Sequence, residues 1–197
     1  MNAINVIQEI VDKDITIRAL GFYVYKPQEN VSELLDKPFI SRLLYHDSPT
    51  GKEVWVNREE ILSTNKTSVM IGDLEQGTVL AVISKIRLGK NKIAHIPMMD
   101  FYNKKEGKEQ TLGDIRSFLE RVGHKGVILH SGRSFHFYGN FLMNETEWMS
   151  FLGDCMLSGL ADPRYIAHNL KDGYGILRIT ACSPLRPMFP KVVSLVE

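Results

Sequence analysis

Apolar residues recur at helical spacing over the first twenty positions, at Ile4, Ile7, Ile10, Val11 and Ile15. Shorter helical pieces follow over 31–45, where Val31, Leu34, Leu35, Ile40, Leu43 and Leu44 are interrupted by Pro38. Both segments read as structural wrapping. From residue 67 the period shortens: Ser68 to Ile71, Thr78 to Ile86 and Lys92 to Met99 are rich in Val and Ile and are separated by Gly or charged turns, which predicts three strands. The helical period returns at Thr111 to Val122, where Ile115, Phe118, Leu119 and Val122 share one face behind a Thr cap followed three residues later by Asp114.

Gly126 to His130 and Ser134 to Tyr138 read as a hairpin about Ser131-Gly132-Arg133. Asn144 then caps a helix over Glu145 to Leu157, with Glu147 at the capping-box position and Trp148, Phe151, Leu152 and Cys155 as its buried stripe. A last strand, Gly175 to Ala181, precedes a proline-rich tail. Strand, strand, strand, helix, strand, strand, helix, strand is the order of an α+β or α/β sheet with helices on one face and the other face open to a ligand. No repeat or Gly/Ser linker divides the chain, so residues 1–197 are expected to form one domain, with 1–66 wrapping a core at 67–185.

Composition narrows the classes. The 197 residues carry 24 Lys and Arg against 23 Asp and Glu and are 44% hydrophobic, which excludes disorder, collagen-like fibres and coiled coils. The longest apolar runs fall far short of the roughly 20 residues that cross a bilayer, and Glu9, Asp12 and Asp14 within the first apolar pattern are unlike a secretory leader. A cytoplasmic protein without membrane attachment is expected. Cys155 and Cys182 stand singly in apolar surroundings and read as buried free thiols. No P-loop, GxSxG, dinucleotide fingerprint or HExxH motif occurs.

Three polar islands interrupt the apolar strands, and polar groups in such places need a hydrogen-bonding partner or a ligand. Asp100 ends Ile96-Pro97-Met98-Met99, as a turn residue or as a carboxylate presented at a sheet edge. Ser134 and His136, two apart in an extended segment, share a face that Phe135 and Phe137 do not. With the preceding Arg133 they suit phosphate oxygens, the serine by hydrogen bond and the cations by charge, although satisfied core polar groups are the alternative. The third island holds Asp162-Pro163-Arg164-Tyr165, His168 and Leu177-Arg178-Ile179; Asp-Pro is an ordinary turn, while a strand arginine between Leu and Ile calls for a carboxylate or a phosphate. His95 and His130 read as structural histidines, and 104–109 as a solvated charged turn.

In this order the islands resemble the motifs of the archaeo-eukaryotic primase superfamily: a strand ending in DxD or DxE, an SxH strand, then a third Asp followed by an Arg-bearing strand. Asp100 matches the first acid, Ser134 and His136 the SxH pair, and Asp162 with Arg178 the third motif, while Tyr102 stands where the second acid belongs. Glu106 is the nearest acidic alternative, four residues on.

The resemblance implies an RRM-like mixed sheet with helices on one face and an α/β N-terminal portion. It implies nucleotidyl transfer: Asp100 and Asp162 as Mg²⁺ or Mn²⁺ ligands, Ser134, His136, Arg133 and Arg178 on a nucleoside triphosphate, and Asp100, Asp162 and His136 as the catalytic set. The partners would be template and primer nucleic acid in DNA replication, with any helicase partner unspecified. Tyr102 favours the alternative of a catalytically degenerate nucleotide- or nucleic-acid-binding module of the same fold. A third reading is a structural protein whose islands are core polar groups. Two stretches free of acids, 76–99 with Lys85, Arg87, Lys90 and Lys92, and 173–196 with Arg178, Arg186 and Lys191, suit a nucleic-acid backbone.

Overall fold

The computed structural model describes residues 1–27, 53–63, 70–102 and 107–197; the pieces expected at 31–45 and the candidate Glu106 lie outside them. Helix α1 (Ala3–Lys13) starts at Asn2, whose side chain accepts from Asn5 N–H while Asn5 answers on the Asn2 amide, and it buries Ala3, Val6, Ile7, Ile10 and Val11. β1 (Ile17–Tyr25) follows at once, so the N-terminal portion enters the sheet as well as covering it. β2 (Val54–Asn57) and the short α2 (Arg58–Leu62) come next, then β3 (Val79–Leu88) and β4 (Ile93–His95). These strands pair antiparallel in the order β2-β1-β3-β4, and β8 (Ile176–Arg178) also pairs with β3.

The second sheet, also antiparallel, has the order β5-β7-β6-β9, from β5 (Met98–Tyr102), β7 (Ser134–Gly139), β6 (Gly126–His130) and β9 (Lys191–Val196). Its two faces are divided by the alternation of β7. Phe135 and Phe137 join Met99, Phe101, Ile128 and the stripes of α3 (Lys108–Arg121) and α4 (Glu145–Ser158) in one core. On the other face Met98, Leu129 and Tyr138 join Leu20, Phe22, Val82 and α1 in a second core between the sheets. The α+β class is the one read from the sequence, with α3 and α4 behind one face of the second sheet; the strands are shared between two sheets.

Several local expectations are corrected. The run at 92–99 is two strands in different sheets, because Pro97 has no N–H to donate and the chain crosses between sheets there, with Ile96 N–H bonded to Ser84 O and Pro97 O accepting from Gly139 N–H. Residues 70–72 are helical, not a strand. α3 begins at Lys108 after Gly107, so Thr111 is no cap; it is buried inside the first turn, its hydroxyl donating to Gly107 O. β8 is three residues long, and β9 and α5 (Pro163–Asp172) form where no element was expected. The hairpin and the α4 capping box form as read.

Gly126 is required by close approach, since a Cβ there would lie 2.2 Å from the Tyr138 carbonyl oxygen. Both cysteines are free and buried. No helix among the described residues is long and apolar enough to cross a membrane.

Candidate functional site

Where the two sheets part, the polar face of β5 and β7 forms the floor of a cleft of about 420 Å³. The β5–β7 register sets Asp100 directly opposite His136 and Tyr102 opposite Ser134, so four candidate positions form a two-by-two patch. The other walls are Tyr23 and Tyr25 of β1, Arg178 of β8, and Tyr165, His168, Asn169 and Asp172 at i, i+3, i+4 and i+7 of α5. Arg133, Tyr174 and Arg186 reach in from loops.

The turn before β7 is held by Ser131, whose N–H bonds Ser134 O and whose hydroxyl stands 2.9 Å from the Ser134 hydroxyl. Gly132 takes φ +100° at its tip, leaving Arg133 exposed at the rim. Asp100 is enclosed by protein yet 38% of its side chain faces the cleft space. Desolvation raises its pKa to about 6, against the opposing pull of the Ser134 hydroxyl, Arg178 and Arg186. His136 is only 5% exposed and is lowered to about 3, by burial first and then by Arg178 and His130. It is therefore a neutral imidazole at neutral pH and contributes hydrogen bonding where the sequence suggested a cation.

Among the described residues Arg178 has backbone carbonyls, not a carboxylate, as its hydrogen-bond partners. Its guanidinium donates to Thr180 O at 2.5 Å, Met188 O at 2.7 Å and Ser131 O at 2.6 Å, tying β8 to the Ser131 turn and the loop before β9. Burial lowers its pKa against the attraction of Tyr25 and Asp100, but an arginine stays charged, and its carbonyl partners are neutral. Asp100 Oδ1 and His136 Nδ1 are buried without a hydrogen-bond partner among the described residues, with Asp100 Oδ1 3.7 Å from His136 Nε2. Unspent polar atoms at the floor of a cleft suit a polar ligand.

Asp162 lies apart from this set. It is exposed, does not line the cleft, and caps α5 by accepting from Arg164 N–H at 2.8 Å, although it is near enough to raise the Asp100 pKa. Tyr102 occupies the second-acid position on the same face as Asp100, and its hydroxyl donates to Gly159 O at 2.6 Å. Among the described residues no group of three or more His, Cys, Asp or Glu side chains is placed to hold a metal ion. A two-ion carboxylate centre needs acids bridging both ions, and among the described residues Asp100 is the one acid on the β5–β7 patch.

Tyr23, Tyr25, Asn169, Tyr174 and Arg186 were not singled out as site residues from sequence. The one signal that points to the α5 members is the polar stripe Tyr165, His168, Asn169 and Asp172, visible only once a helix is assigned there. Of the two basic stretches, 173–196 supplies Arg178 and Arg186 to the cleft, whereas Lys85, Arg87, Lys90 and Lys92 lie outside its lining, with Arg87 stacked 3.9 Å over Trp55. His95 is buried between Ser84, Glu145 and the Trp148 ring, a structural role. His130 packs on Phe135 with Nε2 unpartnered among the described residues.

A family model described as AEP-like, archaeo-eukaryotic primase 1D-like, matches residues 58–191. Searches of curated proteins and of solved structures return no match.

Proposed function

The chain belongs to the AEP-like, archaeo-eukaryotic primase 1D-like family, and from that membership and the chemistry of its cleft we propose that it binds a nucleoside triphosphate, as a nucleotide-binding module of the primase fold. The observation that carries this reading is the convergence of Ser134, Arg133, Arg178 and Arg186 with the neutral His136 in one cleft walled by tyrosines. Its volume lies within the range of small-ligand sites, on the order of 300–1,000 Å³. Arginine guanidinium groups and serine hydroxyls at one end recognise phosphate oxygens by charge-assisted hydrogen bonds, and tyrosine faces accept a base by stacking.

Titration calorimetry with a nucleoside triphosphate tests it. Binding by the wild-type chain that falls roughly tenfold in Arg186→Ala and Arg133→Ala is expected from the loss of one charge-assisted contact each; heat-silent titrations with and without Mg²⁺ would overturn the reading.

Nucleotidyl transfer to a nucleic-acid 3′-hydroxyl is the second reading, favoured by the nearness of Asp162 to Asp100 across the Phe101–Ala161 bridge. In it Asp100 and Asp162 hold a divalent ion, Ser134, His136, Arg133 and Arg178 hold the triphosphate, and the basic stretch at 76–99 meets the nucleic-acid backbone. Primer extension in Mg²⁺ and in Mn²⁺, with Asp100→Ala as control, separates the two. Incorporation lost in the control supports transfer; nucleotide binding with no incorporation in either metal supports the binding module.

A further inference from the structure

Helices α3 and α4 cover the same face of the second sheet, yet their outer surfaces differ. Among the described residues, neither α1 nor α3 exposes a large hydrophobic side chain, and each carries an i,i+4 ion pair, Lys13 with Glu9 and Arg116 with Glu120. α4 exposes three: Met149 is 46% exposed, Met156 43% and Leu157 87%. At 3.6 residues per turn these positions and Gly153 fall within roughly 100° of the helix circumference. That sector lies away from the stripe of Trp148, Phe151, Leu152 and Cys155 that is packed in the core. Exposed apolar side chains are ordinary when scattered singly, whereas a stripe of them marks an interaction surface.

The charge around this stripe is of one sign. Residues 140–163 hold Glu145, Glu147, Asp154 and Asp162 and no Lys, Arg or His. By helical position Glu147 and Asp154 border the stripe beside Leu157, and Glu145 borders it beside Met156. Glu145 bonds the His95 ring, whose pKa is lowered by burial, and Glu147 accepts from Asn144 N–H. Neither bond brings a positive charge to offset the carboxylate. A second copy of α4 would set the same acids against one another, and an anionic lipid surface would be repelled in the same way. The complement is an apolar stripe bordered by Lys or Arg.

We propose that the outer face of α4 docks a basic amphipathic helix of a partner protein. The partner's apolar stripe covers Met149, Met156 and Leu157, and its cations meet Glu145, Glu147 and Asp154. The unbranched methionines adapt to the apolar side chains they receive. The 14 residues of α4 span about 21 Å, room for about four turns of a partner helix. Phe135 and Phe137 face the core beneath α4 while Ser134 and His136 face the cleft, so the docking face lies across the second sheet from the cleft floor. Occupying it leaves the cleft open.

The test is fluorescence anisotropy on the full chain with three labelled synthetic peptides of about four helical turns. The first is a Leu/Lys sequence in amphipathic helical order, the second has Glu in place of each Lys, and the third scrambles the order of the first. The wild type is expected to bind the first alone. Its affinity should fall about tenfold in the double variant Met156→Gln with Leu157→Gln, which removes the centre of the apolar contact. It should fall severalfold, with a flatter salt dependence, in Glu147→Gln with Asp154→Asn; glutamine keeps the capping box of α4. Circular dichroism should show wild-type helix content in both double variants. No binding of any peptide, binding of the acidic or scrambled peptide as tightly as the first, or wild-type affinity in both double variants overturns the proposal. Concentration-dependent self-association in sedimentation velocity, lost in the Met156/Leu157 variant, would assign the face to a second copy and overturn it equally.

Discussion

Asp100 and His136 face each other as a cross-strand pair of β5 and β7, Oδ1 to Nε2 3.7 Å, and burial moves their pKa values in opposite directions. The Asp100 pKa is raised from 3.8 to about 6, so the native state holds its proton where the unfolded chain has released it. That contribution to stability is complete below the unfolded value and is lost as the pH rises through about 6. His136 is lowered from 6.5 to about 3, so its contribution is present above the unfolded value and is lost as the pH falls toward 3. Between those limits the two slopes oppose.

Asp100→Asn removes one slope and leaves the other. The variant should be more stable than wild type by on the order of 1 kcal/mol at pH 7.5, a figure reduced because the carboxyl faces cleft water. The difference should vanish near pH 4, which makes the stability of the variant rise more steeply between pH 4 and 6. Urea midpoints across this range measure it, and a variant–wild-type difference independent of pH would contradict the paired shifts.

Arg178 sets the distance between three chain segments through its carbonyl partners. Arg178→Ala leaves Thr180 O, Met188 O and Ser131 O without their charged donor and should destabilise by about 3 kcal/mol or more. Arg178→Lys keeps the charge but not the planar fork, and should recover less than half of that loss in a denaturant titration. A lysine variant as stable as wild type would show that charge alone suffices there.

Tyr102→Glu places a carboxylate on the Asp100 face and removes the hydroxyl bonded to Gly159 O. Tighter Mn²⁺ binding than wild type is expected by calorimetry, with Tyr102→Phe as the control for the lost hydrogen bond, which should cost about 0.5–1 kcal/mol. If the wild type binds Mn²⁺ as tightly as the Glu variant, an acid at position 102 adds nothing to metal binding.

The floor of the cleft was readable in advance because its information is local. Ser134 and His136 share a face by the two-residue period, and Phe135 and Phe137 fix which face is buried, so no knowledge of the partner strand is needed. The α4 start was equally local, through Asn144 and Glu147. The walls were not. β1 follows α1 after three residues, and its register shifts against β3 disturb the alternation that marks a strand. α5 opens on Asp162-Pro163, which reads as a turn until the proline is placed at the first helical turn, where its missing N–H costs nothing. β9 is six residues after three prolines, and only pairing with β6 makes it a strand. Tyr23 and Tyr25 come from β1, and Tyr165 and Asn169 from α5.

Ser84 of β3 links the sheet to Gly175, next to the cleft residue Tyr174. Its hydroxyl accepts from Gly175 N–H at 2.9 Å and stands 3.2 Å from His95 Nδ1. Ser84→Ala should cost about 2 kcal/mol by leaving both buried groups unpaired. It should also speed hydrogen exchange at the Gly175 amide, measured by mass spectrometry or NMR. Unchanged exchange would place the Gly175 anchor elsewhere.

The pairing of β8 with β3 has a consequence for the order in which the molecule acquires its site. Gly175 N–H reaches Ser84 across 91 residues, and Thr180 Oγ1 accepts from Leu80 N–H across 100. Loops of that length close slowly and late compared with the local β6–β7 hairpin. During synthesis, the patch carrying Ser134 and His136 is therefore complete while the wall bearing Tyr174 and Arg178 is still emerging. The cleft is walled on all sides only once Tyr174, Arg178 and Arg186 have joined it, so its closure reports on the completion of folding.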